Sequence, residues 1–217
     1  MNDTATAHHH WDQRWRDAEQ RNVWSNPEDR VARWAGEAFD EGARKALDLG
    51  CGIGRHALYL AGLGYTVDAL DSSETGLAHA QSEAGKRELT VNFHDAPMTD
   101  LPFADATFDY LLSWNVIYHG DGAVVRRCIA EIHRVLKPGG LYQGTMLSKR
   151  NKNFGLGREV APDTWINETV SDKSHPHFYC DGRALVDLFG AFDLILAEDY
   201  EQRPDCHHWH IVTRRPA

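Results

Sequence analysis

The 217-residue sequence lacks any long hydrophobic run. A helix that crosses a membrane needs about 20 consecutive apolar residues, and no stretch of this chain approaches that length. The first five residues, Met1 to Ala5, contain neither a basic region nor an apolar core, so we expect no secretory signal peptide. Together these absences predict a cytoplasmic protein that does not associate with membranes.

Cysteine and clustered basic residues are also scarce. The four cysteines, at positions 51, 128, 180 and 206, lack zinc-finger spacing, and we expect them to be free thiols. Lys and Arg number 23 against 32 Asp and Glu, which gives a net charge of −9, and adjacent basic residues occur in pairs at most. A nucleic-acid groove would need a clustered basic face, so we expect no nucleic-acid substrate.

What the chain does have is the composition of an ordinary globular protein. Apolar residues make up 42% of the sequence and charged residues 25%. A chain of this length commonly folds as one domain. We therefore expect residues 1–217 to form a single domain.

One segment joins a short apolar strand to a glycine-rich turn. Residues 46–54 read Ala-Leu-Asp-Leu-Gly-Cys-Gly-Ile-Gly, and Asp71 ends the next apolar run. Glycine lets the backbone take positive φ angles and pass close to a ligand, and an acid ending the second strand can accept hydrogen bonds from the hydroxyls of a ribose. The pair indicates a nucleoside-type cofactor at the carboxyl ends of a parallel sheet.

The glycine spacing selects among such cofactors. A dinucleotide fingerprint needs G-x-G-x-x-G, but here the glycines fall at 50, 52 and 54, and Arg55 stands where the third should be. Asp48, just before the turn, would repel a pyrophosphate and attract an ammonium group. We therefore favour S-adenosylmethionine, with its charged amino-acid end, over the NAD of a Rossmann-type dehydrogenase.

Further motifs follow in order, and with them the chain resembles the class I S-adenosylmethionine-dependent methyltransferases. The matching segments, between residues 46 and 147, are 48–55, 71–72, 91–96, 108–115 and 136–140. The opening Trp11-Asp12-x-Arg14-Trp15 is also similar to the start of small thiopurine- and tellurite-type methyltransferases. The resemblance implies an α/β fold with a doubly wound, Rossmann-like sheet of seven mostly parallel strands, an antiparallel last strand, and helices on both faces.

Hydrophobic periodicity predicts where the elements lie. Helices are expected within 11–39, broken at Asn26-Pro27, and over 55–62, 73–84, 122–136 and from 181 onward; strands are expected over 45–49, 65–70, 89–94, 110–113, 141–147, 192–200 and 207–214. Residues 1–10 are expected to be loose.

Two segments are expected to cover the site. Residues 1–40 would form a helical lid whose Trp11, Trp15 and Trp24 either pack on the sheet or face the sulfonium. Residues 148–180 would form an irregular insertion that covers the substrate, since loops this long are usually functional.

The resemblance also implies roles at the cofactor. The three turn glycines would bring N–H groups to the methionine end, and Asp48 would anchor its ammonium. Asp71 would hold the ribose, and Asp95 with Ala96 would hold the adenine. Arg55 would pair with the cofactor carboxylate or point to solvent. The full set of expected cofactor contacts is Asp48, Gly50, Cys51, Gly52, Gly54, Arg55, Asp71, Ser72, Asp95, Ala96 and Trp114.

Thirteen histidines are many for this length. His56 and His79 fall in helices that we expect at the surface. Six others come from three segments that this fold brings to the cofactor mouth, namely His119, His175, His177, His207, His208 and His210. We expect members of all three segments to line one polar cavity, with His177 and Tyr179 facing the sulfonium.

Such a group of imidazoles suits two roles. One is a general base that deprotonates the methyl acceptor near neutral pH, and the other is a divalent-metal site that binds a hydroxyl or thiol substrate. The candidate catalytic residues are His119, His177, Tyr179, His208 and His210, and the candidate metal ligands are His119, His175, His177, His208 and His210.

The leading functional hypothesis is an enzyme that methylates a small soluble molecule at O, N or S by in-line transfer. The alternative is an S-adenosylmethionine-binding module that no longer transfers methyl groups and regulates a partner. An intact cofactor pocket beside a histidine-rich mouth favours the enzyme. These patterns leave the acceptor, the metal content and the oligomeric state open.

Overall fold

The computed structural model describes residues 6–170 and 173–217. The helices are α1 (Ala7–Arg14), α2 (Ala18–Val23), α3 (Asp29–Asp40), α4 (Arg55–Leu63), α5 (Glu74–Lys86), α6 (Gly122–Val135) and α7 (Gly182–Leu188). The strands are β1 (Lys45–Leu49), β2 (Thr66–Asp71), β3 (Val91–Asp95), β4 (Phe108–Ser113), β5 (Leu136–Ser148), β6 (Arg158–Ala161), β7 (Thr164–Ile166), β8 (His177–Cys180), β9 (Asp193–Arg203) and β10 (Cys206–Arg214). Across these two ranges, no helix is long and apolar enough to span a membrane.

The central sheet has the strand order β3-β2-β1-β4-β5-β10-β9. Strands β3, β2, β1, β4 and β5 pair in parallel with their neighbours. Strand β10 runs antiparallel to both β5 and β9. The predicted seven-stranded sheet with an antiparallel last strand is confirmed. Because the carboxyl ends of β1 to β4 meet at one edge of the sheet, the loops that follow them share one face of the molecule.

Helices cover both faces of this sheet and bury apolar stripes against it. On one face, α6 buries Val125, Cys128 and Ile132, which recur at the spacing of one side of a helix. On the other face, α3 buries Val31 and Ala35 against residues of β1, β2 and β4. The apolar residues whose periodicity predicted these two helices are therefore the residues that face the core.

The insertion at 148–180 was expected to be irregular, and this expectation is wrong for part of it. It contains the hairpin β6-β7 and then β8, which pairs in parallel with the end of β5 through Leu147 and Tyr179. The pairing of β4 with β5 stops at Ser113 and Gly144, so the end of β5 presents free backbone groups that β8 can pair with. Residues 171 and 172 lie outside the described part of the chain.

The prediction of a loose segment over 1–10 is also wrong in part. Residues 1–5 lie outside the described range, but α1 begins at Ala7. Asp12 in α1 accepts hydrogen bonds from the Thr75 amide (2.9 Å) and the Ser73 hydroxyl (3.0 Å) at the start of α5. The Thr75 amide is the main reason that the pKa of Asp12 falls to about 2. Asp12 thereby ties the N-terminal helix to the edge of the sheet where the loops meet.

Candidate active site

A cavity of about 610 Å³ opens at the carboxyl ends of the parallel strands. Its floor is made by the loops after β1, β2, β3 and β4, and its roof comes from the N-terminal segment. From the expected cofactor set it is lined by Gly50, Cys51, Gly52, Arg55, Asp71, Ser72, Ala96 and Trp114. Volumes of roughly 300–1,000 Å³ are those of small-molecule and cofactor sites.

The glycine turn after β1 has the backbone geometry that its sequence indicates. Gly50, Gly52 and Gly54 have φ angles of 71°, 53° and 84°. A Cβ on Gly50 would lie 2.4 Å from the Cγ atoms of Val116, and one on Gly54 would lie 2.7 Å from the Cβ of Ala80. Side chains at these positions would therefore be both strained and crowded.

The amides of the three turn glycines were expected to face a ligand, but each of them donates to an acceptor within the protein. The N–H of Gly50 donates to the Leu70 carbonyl (2.7 Å), and that of Gly54 donates to the Cys51 carbonyl (2.9 Å). The N–H of Gly52 donates to Oδ2 of Asp71 (2.7 Å). All three amides hold the turn against β2 or within itself, so these glycines act by shaping the loop.

Asp71, at the end of β2, links the turn to the cavity. Its carboxylate accepts from the amides of Gly52 and Ser73 (2.7 and 2.8 Å) and lines the cavity wall. Burial raises the pKa of this carboxyl, and the backbone donors partly oppose that rise. Each carboxylate oxygen has two acceptor positions, so both retain one for a ligand hydroxyl.

Asp48 lies in β1 behind the turn and is only 2% exposed. Burial raises its pKa to about 7, against the opposing effects of the Ala57 amide and the Arg55 charge. Its Oδ2 atom has no hydrogen-bond partner among the described residues. A buried carboxylate oxygen of this kind is costly unless it gains a donor. Asp48 is not a wall of the cavity.

The adenine end of the expected site is only partly enclosed. The Ser72 hydroxyl donates to the Ala96 carbonyl (2.9 Å), which joins the loops after β2 and β3. Ala96 lines the cavity, whereas Asp95 is exposed and lies outside its walls.

Arg55 does not point to solvent, because its side chain is only 11% exposed. Its guanidinium pairs with Glu28 (3.4 Å) and donates to the Asn26 carbonyl (3.3 Å). It also lies 5.1 Å from the centre of the Trp24 ring. Arg55 thus fastens the N-terminal segment to the first turn of α4 while it lines the cavity.

His56 contradicts its expected surface position. It is buried, lines the cavity, and its Nε2 accepts from the Glu28 amide (3.3 Å). The burial of His56 could not be predicted from periodicity, because the next two residues of α4, Ala57 and Leu58, are buried as well. The first turn of this helix is enclosed on more than one side, which periodicity cannot reveal.

Tryptophans make most of the roof. The rings of Trp11 and Trp15 stack at 5.2 Å, and Trp24 meets Trp11 edge-on at 5.9 Å. Trp15 packs directly over Gly52, where a Cβ would lie 3.1 Å from its ring. All three tryptophans line the cavity, so packing and contact with a ligand are compatible here.

Three histidines form a compact group beside the cavity, which we call the histidine triad: His119, His175 and His177. One ring nitrogen from each lies within 4.8 Å of the others. His119 follows β4 and lines the cavity, while the other two come from the end of the insertion. His79 is half-buried in α5 and takes no part.

Hydrogen bonds in the histidine triad define its tautomers. Nε2 of His119 lies 3.0 Å from the Asn115 carbonyl, and Nδ1 of His177 lies 2.7 Å from the His175 carbonyl. Because carbonyls only accept, both nitrogens carry protons. Nδ1 of His119 then accepts from Nε2 of His175 (2.9 Å). Burial lowers the pKa of His119 and of His177, so both rings are neutral near pH 7.

The other expected catalytic residues lie elsewhere. His210 shares a hydrogen bond with the Gln143 amide nitrogen (2.9 Å), and its ring meets Trp114 edge-on at 5.3 Å. His208, on the same face of β10, lies 6.0 Å from the Tyr118 ring. Tyr179 packs in the core against Phe154. None of His208, His210 and Tyr179 lines the cavity, and neither does His175 or His177.

His207 and the two cysteines near the insertion also stay outside the histidine triad. His207 projects from the opposite face of β10 toward Asp199 (3.4 Å). Cys180 is buried and Cys206 is half-buried, and both are free thiols.

Comparison with known proteins decides the family. Residues 46–140 match the family model described as a methyltransferase domain. An O-methyltransferase of Aspergillus nomiae is 33% identical over 129 residues, which are 58% of this chain and 56% of that protein. The ubiquinone biosynthesis O-methyltransferase of Nitrobacter winogradskyi is 31% identical over 172 residues, 70% of this chain and 64% of that protein. Residues 46–140 therefore carry a methyltransferase domain of the class I S-adenosylmethionine-dependent type.

Solved structures share the fold of this methyltransferase chain. The PH0226 protein of Pyrococcus horikoshii covers 93% of each chain at 22% identity, with a TM-score of 0.73. The N-methyltransferase NodS of Bradyrhizobium japonicum, solved with S-adenosyl-L-homocysteine, covers 97% of this chain and 99% of its own at 16% identity and a TM-score of 0.71.

The family match does not extend over the whole site. It includes the glycine turn, Asp71 and His119, but the tryptophan roof lies before residue 46 and the rest of the histidine triad lies after residue 140. The chain also spans only 56% and 64% of the lengths of the two curated relatives. The methyltransferase framework is therefore shared, and the parts that cover the cavity belong to segments outside the match.

Proposed function

We propose that this protein transfers the methyl group of S-adenosylmethionine to a small soluble molecule bound beneath the tryptophan roof. The observation that carries this proposal is the single cavity that joins the glycine turn and Asp71 to the roof and to His119. S-adenosylmethionine supplies a sulfonium-bound methyl group that a nucleophile displaces in line. The chain's own residues have to bind, orient and shield the two reactants.

The cofactor side fits this ligand. Asp71 retains acceptor positions toward the cavity that suit two neighbouring ribose hydroxyls. The positive φ angles of the turn let a ligand approach the backbone at Cys51 and Gly52. Asp48, whose Oδ2 has no partner among the described residues, places a buried carboxyl behind the turn, and an ammonium at the methionine end would favour its ionised form.

The adenine end is proposed to lie beside Ala96. Because Asp95 is exposed, its side chain would have to turn toward the ligand to accept from an amino group. Trp114 and Ser72 line the same cavity and would complete the contact.

The roof is proposed to act as the lid. Its stacked tryptophans exclude water from the cavity, and their ring faces attract a cation such as a sulfonium. The insertion was expected to cover the substrate, but its described residues contribute no wall of the cavity. We propose instead that it supports the site from behind by holding His175 and His177 against His119.

The acceptor is proposed to be a small hydroxylated compound first, with amines and thiols next. The two curated relatives described above are O-methyltransferases by name. A cavity of about 610 Å³ leaves room for a small molecule and not for a folded macromolecule. A general base at His119 is disfavoured by geometry, because both of its ring nitrogens are already hydrogen-bonded within the protein.

The experiment is a turnover assay with a panel of small hydroxyl, amine and thiol compounds. The purified protein is incubated with S-adenosylmethionine, and S-adenosylhomocysteine and methylated product are quantified by mass spectrometry. We expect acceptor-dependent formation of both from at least one compound, and its loss in Asp71→Ala. Tight cofactor binding without turnover on any acceptor would contradict the enzyme and favour the regulatory module.

A further inference from the structure

We propose that the histidine triad is a binding site for one divalent transition-metal ion. The proposal goes beyond methyl transfer, because it assigns a second ligand to residues that line or lie just behind the cofactor cavity. It rests on the arrangement of the three rings and of the groups that hold them.

The ring nitrogens are placed as ligands to one ion. His119 presents Nδ1 and His175 presents Nε2, which lie 2.9 Å apart, and one nitrogen from each ring falls within 4.8 Å of the others. Zinc–nitrogen bonds of about 2.0–2.1 Å in a tetrahedral site put ligand atoms about 3.3 Å apart. Small movements of the rings would therefore admit an ion.

The third nitrogen is already available. Nδ1 of His177 donates to a backbone carbonyl, which leaves Nε2 with its lone pair. His177 is fully buried, and this Nε2 has no hydrogen-bond partner among the described residues. A buried acceptor without a donor is costly, and a metal ion would satisfy it. Binding also requires His175 to carry its proton on Nδ1 in place of Nε2.

The outer sides of two rings have the support that metal ligands usually have. Ligating histidines commonly donate their other N–H to a carbonyl or a carboxylate, which fixes the ring and its tautomer. His119 donates to the Asn115 carbonyl, and His177 donates to the His175 carbonyl. Asn115 is itself held at a φ of 62° by Thr145, whose Oγ1 accepts from its amide (2.8 Å).

Backbone contacts bring the two segments of the triad together independently of the ring nitrogens. His119 and His177 form an antiparallel bridge, and the Phe178 amide donates to the Tyr118 carbonyl (2.9 Å). The Gly120 amide donates to the Pro176 carbonyl (3.0 Å). The ligands are therefore preorganised, which lowers the cost of binding an ion.

The chemistry of the ligand set indicates the metal class. Imidazoles suit zinc, copper, nickel and iron, whereas magnesium and calcium need oxygen ligands. The rings are buried and neutral, which is the ligating form. Lys173, His10 and Tyr118 are titratable groups near the triad, and the charge of Lys173 opposes a cation there. Three imidazoles leave a further position for a water or a substrate atom, as in catalytic zinc sites.

The test is metal binding by the intact chain, with turnover left out of the readout. His9 is exposed in the first turn of α1 and can chelate metals, so the measurements use a His9→Ala background. After chelator treatment and dialysis, zinc is titrated by calorimetry, and cobalt is titrated by its visible absorption. We expect one ion per chain with nitrogen-ligand cobalt bands, and no saturable response to magnesium.

Single variants His119→Ala, His175→Ala and His177→Ala should each weaken zinc binding at least about tenfold. His79→Ala, outside the triad, should bind as the background does. Circular dichroism of the metal-free variants checks folding, and His177→Gln is the conservative variant should alanine unfold the chain. The proposed site would be overturned if the background protein did not bind one zinc ion per chain. It would also be overturned if all three triad variants bound zinc as tightly as the background protein does. S-adenosylhomocysteine affinity measured on the metal-free protein tests the cofactor proposal separately.

Discussion

The two sides of the cavity are joined by different kinds of contact. On the cofactor side, the amide of Gly52 donates to Asp71, 19 residues away on the neighbouring strand. On the other side, the imidazoles of His119 and His175 meet across 56 residues that include α6, β5 and the hairpin β6-β7. The first side is a short motif closed by adjacent parallel strands, whereas the second exists only once the whole insertion has folded.

The two sides also carry buried polar groups of opposite character. Burial raises the pKa of Asp48 and Asp71, while it lowers the pKa of His119 and His177. In each case the low-polarity surroundings favour the neutral form. The site therefore concentrates buried polar groups that cost stability and that gain partners when ligands bind.

The largest expected effect is on the cofactor side, at Asp48. Its folded-state pKa of about 7 lies above the ordinary value of 3.8, so its ionisation favours the unfolded chain. The stabilisation that the protonated Asp48 carboxyl provides is therefore complete below about pH 4, and it is lost as the pH rises through 7. We expect Asp48→Asn to gain about 4 kcal/mol in unfolding free energy relative to the native chain between pH 4 and pH 8.

Urea denaturation of both proteins across this pH range measures the difference. The exposed Asp100→Asn is the control, and it should stay within about 0.5 kcal/mol of the native chain. A gap between Asp48→Asn and the native chain that does not change with pH would contradict the buried, raised-pKa carboxyl.

A smaller effect is expected at Gly50. Alanine there would adopt a φ of 71° and would place its Cβ 2.4 Å from the stiff side chain of Val116. Gly42→Ala is a matched control, because its φ is also positive (106°) but its Cβ would meet nothing within 4 Å. We expect Gly50→Ala to cost about 3 kcal/mol of stability and Gly42→Ala about 1 kcal/mol.

Thermal and chemical unfolding of the two variants decide between strain and crowding. If Gly50→Ala and Gly42→Ala lost the same unfolding free energy, Val116 would have to move aside, and the prediction of a tightly packed turn would be wrong.

Features of the site that depend on nearby residues were predictable from the sequence. The glycine turn, Asp71 and the parallel pairing of the strands that carry them were predictable because each depends on neighbours in sequence or on one adjacent strand. The α6 face was predictable because Val125, Cys128 and Ile132 repeat at helical spacing. The resemblance to class I S-adenosylmethionine-dependent methyltransferases was confirmed by the match over residues 46–140 together with the curated relatives.

The remaining features depend on long-range packing that no local pattern encodes. Strand β8 forms because β5 extends beyond the end of its pairing with β4. His56 is buried because α4 is enclosed on several sides. The turn amides were expected at the ligand, yet β2 and Asp71 take two of them. Which members of a histidine cluster meet depends on the path of the insertion, so sequence could nominate His208 and His210 but could not separate them from the triad.

The measurement that tests the account most directly is calorimetric binding of S-adenosylhomocysteine to the native chain and to Asp71→Ala, Asp71→Asn and His177→Ala. We expect micromolar affinity in the native chain and no binding of NAD. Asp71→Ala should lose about 1.5–3 kcal/mol, the scale of hydrogen bonds to a charged group, and Asp71→Asn, which keeps one acceptor, should lose less. His177→Ala, which changes only the other side of the cavity, and the exposed control Glu74→Gln should both bind within about twofold of the native chain. Native affinity in Asp71→Ala, or binding of NAD, would contradict the assignment of this cavity to S-adenosylmethionine.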